Sequence, residues 1–90
     1  MEIRFMQDGA GYEVIKDGVQ VGRIVWTLQD KTMIMNETHL DESLRGQDMG
    51  TKLLNHAAEY AREHHYKMQA VCPFVVKMFE RSEGYNDIKV

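Results

Sequence analysis

The first forty positions alternate apolar and polar residues with a period of two, and turn-forming residues punctuate the alternation. That pattern predicts hairpin-connected antiparallel strands, because successive side chains of a strand point to opposite faces. Ile3 and Phe5 alternate with Glu2 and Arg4, Asp8-Gly9-Ala10-Gly11 turns the chain, and Tyr12 and Val14 flank Glu13. Asp17-Gly18 between two such runs is a strong hairpin signal, since Gly accepts the positive φ that a two-residue turn requires. A third strand over about Val19 to Leu28, a turn at Gln29-Asp30-Lys31 and a fourth strand over about Thr32 to His39 follow. Carried straight through, the alternation puts Met33, Met35, Glu37 and His39 on one face of the fourth strand and Ile34, Asn36, Thr38 and Leu40 on the other.

The period then changes. Met49, Leu53, Leu54, Ala57, Tyr60, Ala61 and His64 recur at helical spacing while Lys52, Asn55, Glu59, Arg62 and Glu63 fill the opposite side, which predicts a helix from about Gly46 to His64. Lys67 to Val71 reads as a short strand stopped by Cys72-Pro73. Val75, Met78 and Phe79 suggest a second, short helix with Pro73 in its first turn, where a missing N–H costs nothing. Gly84-Tyr85 ends it, and Tyr85 to Val90 has the look of a last strand. The fold class is therefore α+β: a mostly antiparallel sheet of about five to six strands, one long helix and one short C-terminal helix.

Length and composition narrow this to a single domain over residues 1–90, because a chain of 90 residues leaves no room for a second core. Its 43% hydrophobic and 28% charged content is ordinary for a small soluble globule. A net charge of -3 argues against a nucleic-acid backbone as the main partner. No apolar run approaches membrane-spanning length, Met1-Glu2-Ile3-Arg4 lacks a signal-peptide core, and one Cys cannot form an internal disulfide, so the expectation is a cytoplasmic protein with no membrane partner. His56 and His64 lie eight apart, not at the i, i+4 spacing that grips zinc, and no metal site is expected. Met33, Met35, Met49, Met68 and Met78 fall on apolar faces as core filling, and Trp26 as core or a platform on the sheet.

Strand, long helix and strand in sequence form a βαβ unit joining parallel neighbours. The C-terminal end of the fourth strand, the start of the long helix and Cys72 should then share one edge of the sheet, where open sheets bind ligands. The segment entering the helix, Leu44-Arg45-Gly46-Gln47-Asp48-Met49-Gly50-Thr51, offers unpaired backbone N–H groups at the positive end of the helix dipole, which suits a phosphate. By its spacing alone the glycine pair is weak evidence, equally readable as a turn residue and a packing residue.

The run Leu44 to Gly50, followed by Thr51-Lys52-Leu53-Leu54, resembles the acetyl-CoA pyrophosphate loop of the GNAT N-acetyltransferase superfamily: Gln or Arg, two residues, Gly, one residue, then Gly or Ala. Arg45 and Gly50 match its two ends. Lys77-Met78-Phe79-Glu80-Arg81-Ser82-Glu83-Gly84-Tyr85 is similar to the family's closing helix, with its Gly-aromatic pair. The resemblance spans about Gly18 to Tyr85 and is nearest to the superfamily's smallest members. It implies acetyl transfer from acetyl-CoA, as co-substrate, to an amine. Arg45, Gly46, Gln47, Asp48, Met49, Gly50 and Thr51 would hold the phosphates, and Thr38 to Leu40, with Thr38 and Leu40 named as contacts, would flank pantetheine. The rival implication is a catalytically silent CoA-binding or protein-interaction module.

Two departures from the family pattern bear on that choice. Asp48 replaces the first loop Gly, and a carboxylate about 5 Å from a phosphate repels it by about 3 kcal/mol per charge pair at an effective dielectric near 20. An Asp in a first helical turn is otherwise favourable with the dipole and free to point to solvent. Phe79 stands where many relatives place a Tyr that protonates the leaving thiolate, and Phe cannot do so.

Three residues are the catalytic candidates. Glu37 and His39 stand two apart on the fourth strand near the expected thioester, and a His titrates near neutrality, although a lone strand His is as readily a surface residue. Cys72 ends a strand at a helix start, a setting that lowers a thiol pKa, and as nucleophile it would impose a route through an S-acetyl enzyme. Otherwise it is a small buried apolar residue. The acceptor is a small-molecule or peptide amine. Met1 to Asp17 has room for only about two strands, so the acceptor cleft should be open, or completed by a second copy of the chain or another partner.

Overall fold

The computed structural model describes residues 1–44 and 46–90. Five strands, β1 (Glu2–Phe5), β2 (Gly11–Lys16), β3 (Val19–Gln29), β4 (Thr32–Leu40) and β5 (Lys67–Ala70), form one sheet in the order β1-β2-β3-β4-β5. The first three pairings are antiparallel and β4–β5 is parallel. The β2–β3 hairpin closes through Lys16↔Val19, with Asp17 at φ 52 and Gly18 at φ 77, both left-handed as a tight hairpin turn demands.

Helix α1 (Met49–His64) crosses from β4 to β5, and α2 (Pro73–Arg81) follows β5. The apolar stripe of α1 at Met49, Leu53, Leu54, Ala57, Ala58 and Ala61 is buried in one core with Val14, Ile24, Trp26, Met33, Met35, Met68, Val75, Phe79, Tyr85 and Ile88. Met33, Met35, Met49 and Met68 fill that core as expected, and Trp26 is buried beneath the rings of Tyr12 and Tyr60, at 6.0 and 5.4 Å. Among the described residues no helix is long and apolar enough to cross a membrane.

The sequence expectation needs three corrections. The long helix begins at Met49 rather than Gly46, because Gly46 (φ 83) and Asp48 (φ 55) take left-handed backbone that an α-helix cannot contain. The residues after α2 do not make a sixth strand. Glu83–Tyr85 is a 3-10 turn whose carbonyls take up the next amides, leaving only a parallel bridge between Met68 and Lys89. Finally, β4 carries a bulge: Val25 pairs with Glu37 but Trp26 with Met35, so Asn36 is an extra residue, its amide donating to Thr27 Oγ1 at 2.7 Å. A bulge reverses the parity of everything after it. Thr38 and Leu40 therefore continue the inner face of Met33 and Met35, opposite Ile24 and Gly22, while Glu37 and His39 turn outward beside Val25 and Arg23.

The far end of α1 is tied down by Arg62. It donates to both carboxylate oxygens of Asp87, to Glu59 and to the Gly84 carbonyl, while Tyr85 hydroxyl donates to Asn55. These contacts fix the helix axis, and with it the position of the N-terminus.

Candidate functional site

The site lies where β4 and β5 part. Their ladder runs from Thr32↔Lys67 to Met35↔Ala70, and the Cys72 amide adds one last bond to the Met35 carbonyl at 3.0 Å. Beyond the bulge β4 pairs only with β3, out to Leu40↔Gly22, so a wedge opens between β4 and the chain entering α2. Across it Cys72 Sγ and Thr38 Oγ1 are 3.6 Å apart. Cys72 is buried at the N-cap of α2, with φ -60 and ψ 132 and Pro73 as the first helical residue. Burial pushes its thiol pKa up, but hydrogen bonding from Thr38 and from the Val75 and Phe74 amides outweighs this and holds the thiol below its ordinary range.

One step further along both chains, Leu40 and Phe74 pack over Gly50. A Cβ on Gly50 would sit 3.0 Å from Phe74 Cζ and 3.4 Å from Leu40 Cδ1. These residues line a cleft of about 230 Å3 with Leu44, Gly46, Asp48, Met49 and Thr51. The cleft opens on the start of α1, where the first bond within the helix is from Lys52 N–H to the Asp48 carbonyl. The amides before Lys52 have no acceptor within the helix, and Asp48 makes no side-chain cap bond to them. Gly46 has open space where a Cβ would be, so a ligand can approach its backbone closely.

Of the residues assigned to the phosphates, Gly46, Asp48, Met49, Gly50 and Thr51 share this cleft. Met49 is also part of the buried core. Gln47 is exposed and its side chain donates to the Ser43 carbonyl, which braces the loop. Arg45 lies outside the described residues. Leu40 joins the cleft and Thr38 joins Cys72. Glu37 and His39 share one face as expected, but it is the outer, exposed one: Glu37 accepts from Arg23 at 2.6 Å and His39 stands 3.4 Å from Asp41.

A family model for GCN5-related N-acetyl-transferases matches residues 11–88. The chain belongs to the GCN5-related N-acetyltransferase family. A GCN5-like protein from Staphylococcus aureus, solved by NMR, is 25% identical and superposes with a TM-score of 0.81 over 99% of this chain and 87% of its own. A GNAT family acetyltransferase from Elizabethkingia anophelis with acetyl-CoA bound reaches a TM-score of 0.57 at 22% identity, over 66% of this chain and 41% of that one. The IAA acetyltransferase of Bacillus cereus gives 0.55 at 30% identity, over 64% and 40%. The chain thus spans about two fifths of the length of these two enzymes. No curated protein matches it.

The two departures of this chain from its family pattern now have a structural meaning. Asp48 occupies a left-handed position, which explains why Gly is usual there; Asp is among the few other residues that tolerate it. Phe79 is buried against Tyr85, ring centroids 5.3 Å apart, and has no hydroxyl to give. The residue that sequence reasoning undervalued is Thr38. The family resemblance puts it beside pantetheine, and the bulge at Asn36 turns it toward Cys72.

Asp48→Gly is expected to act twice. Relief of the left-handed backbone raises stability by about 0.5–1 kcal/mol. Asp48 is exposed, so solvent screening cuts the carboxylate–phosphate repulsion to roughly 1 kcal/mol, and acetyl-CoA should bind about fivefold more tightly. Calorimetric titration of both proteins checks it; equal affinities would mean that the phosphates do not approach residue 48.

Proposed function

We propose that this protein transfers an acetyl group from acetyl-CoA to an amine, the pyrophosphate resting on the free amides at the start of α1 and the thioester reaching Cys72 in the wedge between β4 and β5. The observation that carries this reading is the convergence of three features at one sheet edge: an anion-ready helix N-terminus, an open wedge and a thiol with a depressed pKa. The acetyl-CoA complex of the Elizabethkingia anophelis enzyme, which shares the fold, supports the choice of ligand.

In this reading Cys72 Sγ attacks the acetyl carbonyl. An Sγ–C bond forms, the CoA S–C bond breaks, and CoA departs as the thiol with the proton that Cys72 gave up. Phe79 need not supply that proton. An amine then attacks the S-acetyl carbon, the N–C bond forms as the Sγ–C bond breaks, and a proton from the amine returns to Sγ. Backbone amides of β4 past Met35, freed of β5 partners, are suited to hold the carbonyl oxygen as charge develops on it. Glu37 and His39, on the outer side of the same strand end, would take the proton of an incoming ammonium. Both are exposed, so the acceptor side is open to a small-molecule or peptide amine or to a partner, a second copy included, that would complete it.

Incubation with acetyl-CoA alone tests the reading. Intact-mass and peptide analysis should find one acetyl group, on Cys72, and addition of an amine should remove it. Asp48 and Phe79 favour a second reading, a CoA-binding module without turnover. Bound acetyl-CoA with no acetyl on Cys72 and no CoA release across a panel of polyamines and Lys peptides would establish that one instead.

A further inference from the structure

We propose that Thr38 is a positioning residue of the transfer site: its hydroxyl fixes Cys72 Sγ in the wedge and stabilises its reactive, deprotonated form. The inference rests on the proposed acetyl transfer but is argued from geometry independent of it.

The Asn36 bulge is the first part of the argument. Without it Glu37 and His39 would point inward, and Thr38 would lie on the outer face, away from Cys72. One inserted residue thus exchanges two titratable groups for one neutral hydroxyl at the wedge, and Asn36 is itself secured by its bond to Thr27. The second part is the contact. With Cys72 protonated, the thiol donates to Thr38 Oγ1 across 3.6 Å; once the proton is lost, the hydroxyl rotates to donate to sulfur. A hydroxyl can serve both states, whereas a carboxylate there would oppose the thiolate.

The third part is the absence of a competing explanation for a depressed thiol among the described charged groups. On β4, Glu37 is engaged outward by Arg23 and His39 lies beside Asp41. Asp48 and Lys52 at the start of α1 and Lys77 on α2 are exposed. Burial works against the thiolate, and what offsets it is neutral: the side chain of Thr38, and the Val75, Phe74 and Thr38 amides, whose backbone bonds a side-chain substitution leaves in place. Of these, only Thr38 can be changed without altering the backbone.

The test is the pH dependence of alkylation of Cys72 by iodoacetamide, in the wild type, Thr38→Val and Thr38→Ser. Cys72 is the only cysteine, so the reaction reports on it alone. Val matches Thr in shape and removes the donor. The midpoint should rise in Thr38→Val, with the rate near neutrality falling about tenfold, and the rates of all three proteins should converge at high pH, where every thiol is ionised. Thr38→Ser should keep the wild-type midpoint. A Thr38→Val profile that superimposes on the wild type, or one lowered by the same factor at every pH, would overturn the proposal, since the second pattern reports altered access rather than an altered thiolate. Alkylation needs no acetyl-CoA. A shifted profile in a protein that never acquires an acetyl group would therefore support the Thr38–Cys72 link and sink only the transfer reading.

Discussion

Cys72→Ala should release CoA from acetyl-CoA about 10³-fold more slowly than the wild type in the presence of an accepting amine, with acetyl-CoA affinity unchanged. The thiol lies at the wedge and not in the cleft at the start of α1, whose lining residues are Leu40, Leu44, Gly46, Asp48 to Thr51 and Phe74, so its loss should leave the proposed binding contacts in place. The fold should survive, because Ala fills most of the buried volume and Thr38, half-buried, can turn to water. Release of free thiol, followed with a chromogenic disulfide, measures the rate, and thermal melting confirms the fold. Unchanged turnover would mean that the amine attacks the thioester directly and that Cys72 is packing.

Gly50→Val is expected to do the opposite, harming binding first. Its Cβ would meet Phe74 Cζ at 3.0 Å, Phe74 Cε1 at 3.3 Å and Leu40 Cδ1 at 3.4 Å, and its methyl groups would enter the cleft beyond them. Overpacking of this kind costs about 1–3 kcal/mol in stability. A filled cleft keeps phosphates from the amides of the first helical turn, and affinity for acetyl-CoA should drop about 10²-fold, some 2.7 kcal/mol. Gly50→Ala is the control. The helix gains about 1 kcal/mol from losing a glycine, which offsets the strain against the far end of the Phe74 ring and leaves stability near its starting value. Wild-type affinity in Gly50→Val would show that the phosphates bind elsewhere.

Where hydrophobic periodicity is dense, the sequence was readable. The Asp17-Gly18 hairpin, the four antiparallel strands, the long amphipathic helix and the strand after it all stand within a few residues of where the alternation puts them. The misreadings have physical causes. In Asn36-Glu37-Thr38-His39 no apolar residue marks the inner face, so nothing in the pattern signals that the phase reverses at Asn36. Gly46 to Asp48 sits beside a helical repeat but contributes no residue to it, and the left-handed backbone at Gly46 and Asp48 is set by the loop's path. At the C-terminus Tyr85 and Ile88 are buried by a 3-10 turn and the irregular segment after it, three residues apart rather than at strand spacing.

The candidate site was legible to the same degree. Gly50 and the helix start were identifiable because helix N-termini bind anions through backbone geometry that Gly marks in a sequence. The company of Cys72 was not, since Thr38 lies 34 positions away and its inward turn depends on the bulge. Phe79 remains the clearest departure from the family pattern at both levels, with Tyr85 against its ring and no proton to give.

The most direct measurement is an NMR titration of the protein with acetyl-CoA, read residue by residue. The account predicts saturable amide shifts confined to Thr38 through Leu54 and Cys72 through Phe79, the two sides of the wedge and cleft. No binding at millimolar ligand, or shifts centred instead on the larger hollow of about 580 Å3 lined by Arg4, Phe5, Met6, Gln7, Asp8 and Glu13, would contradict it.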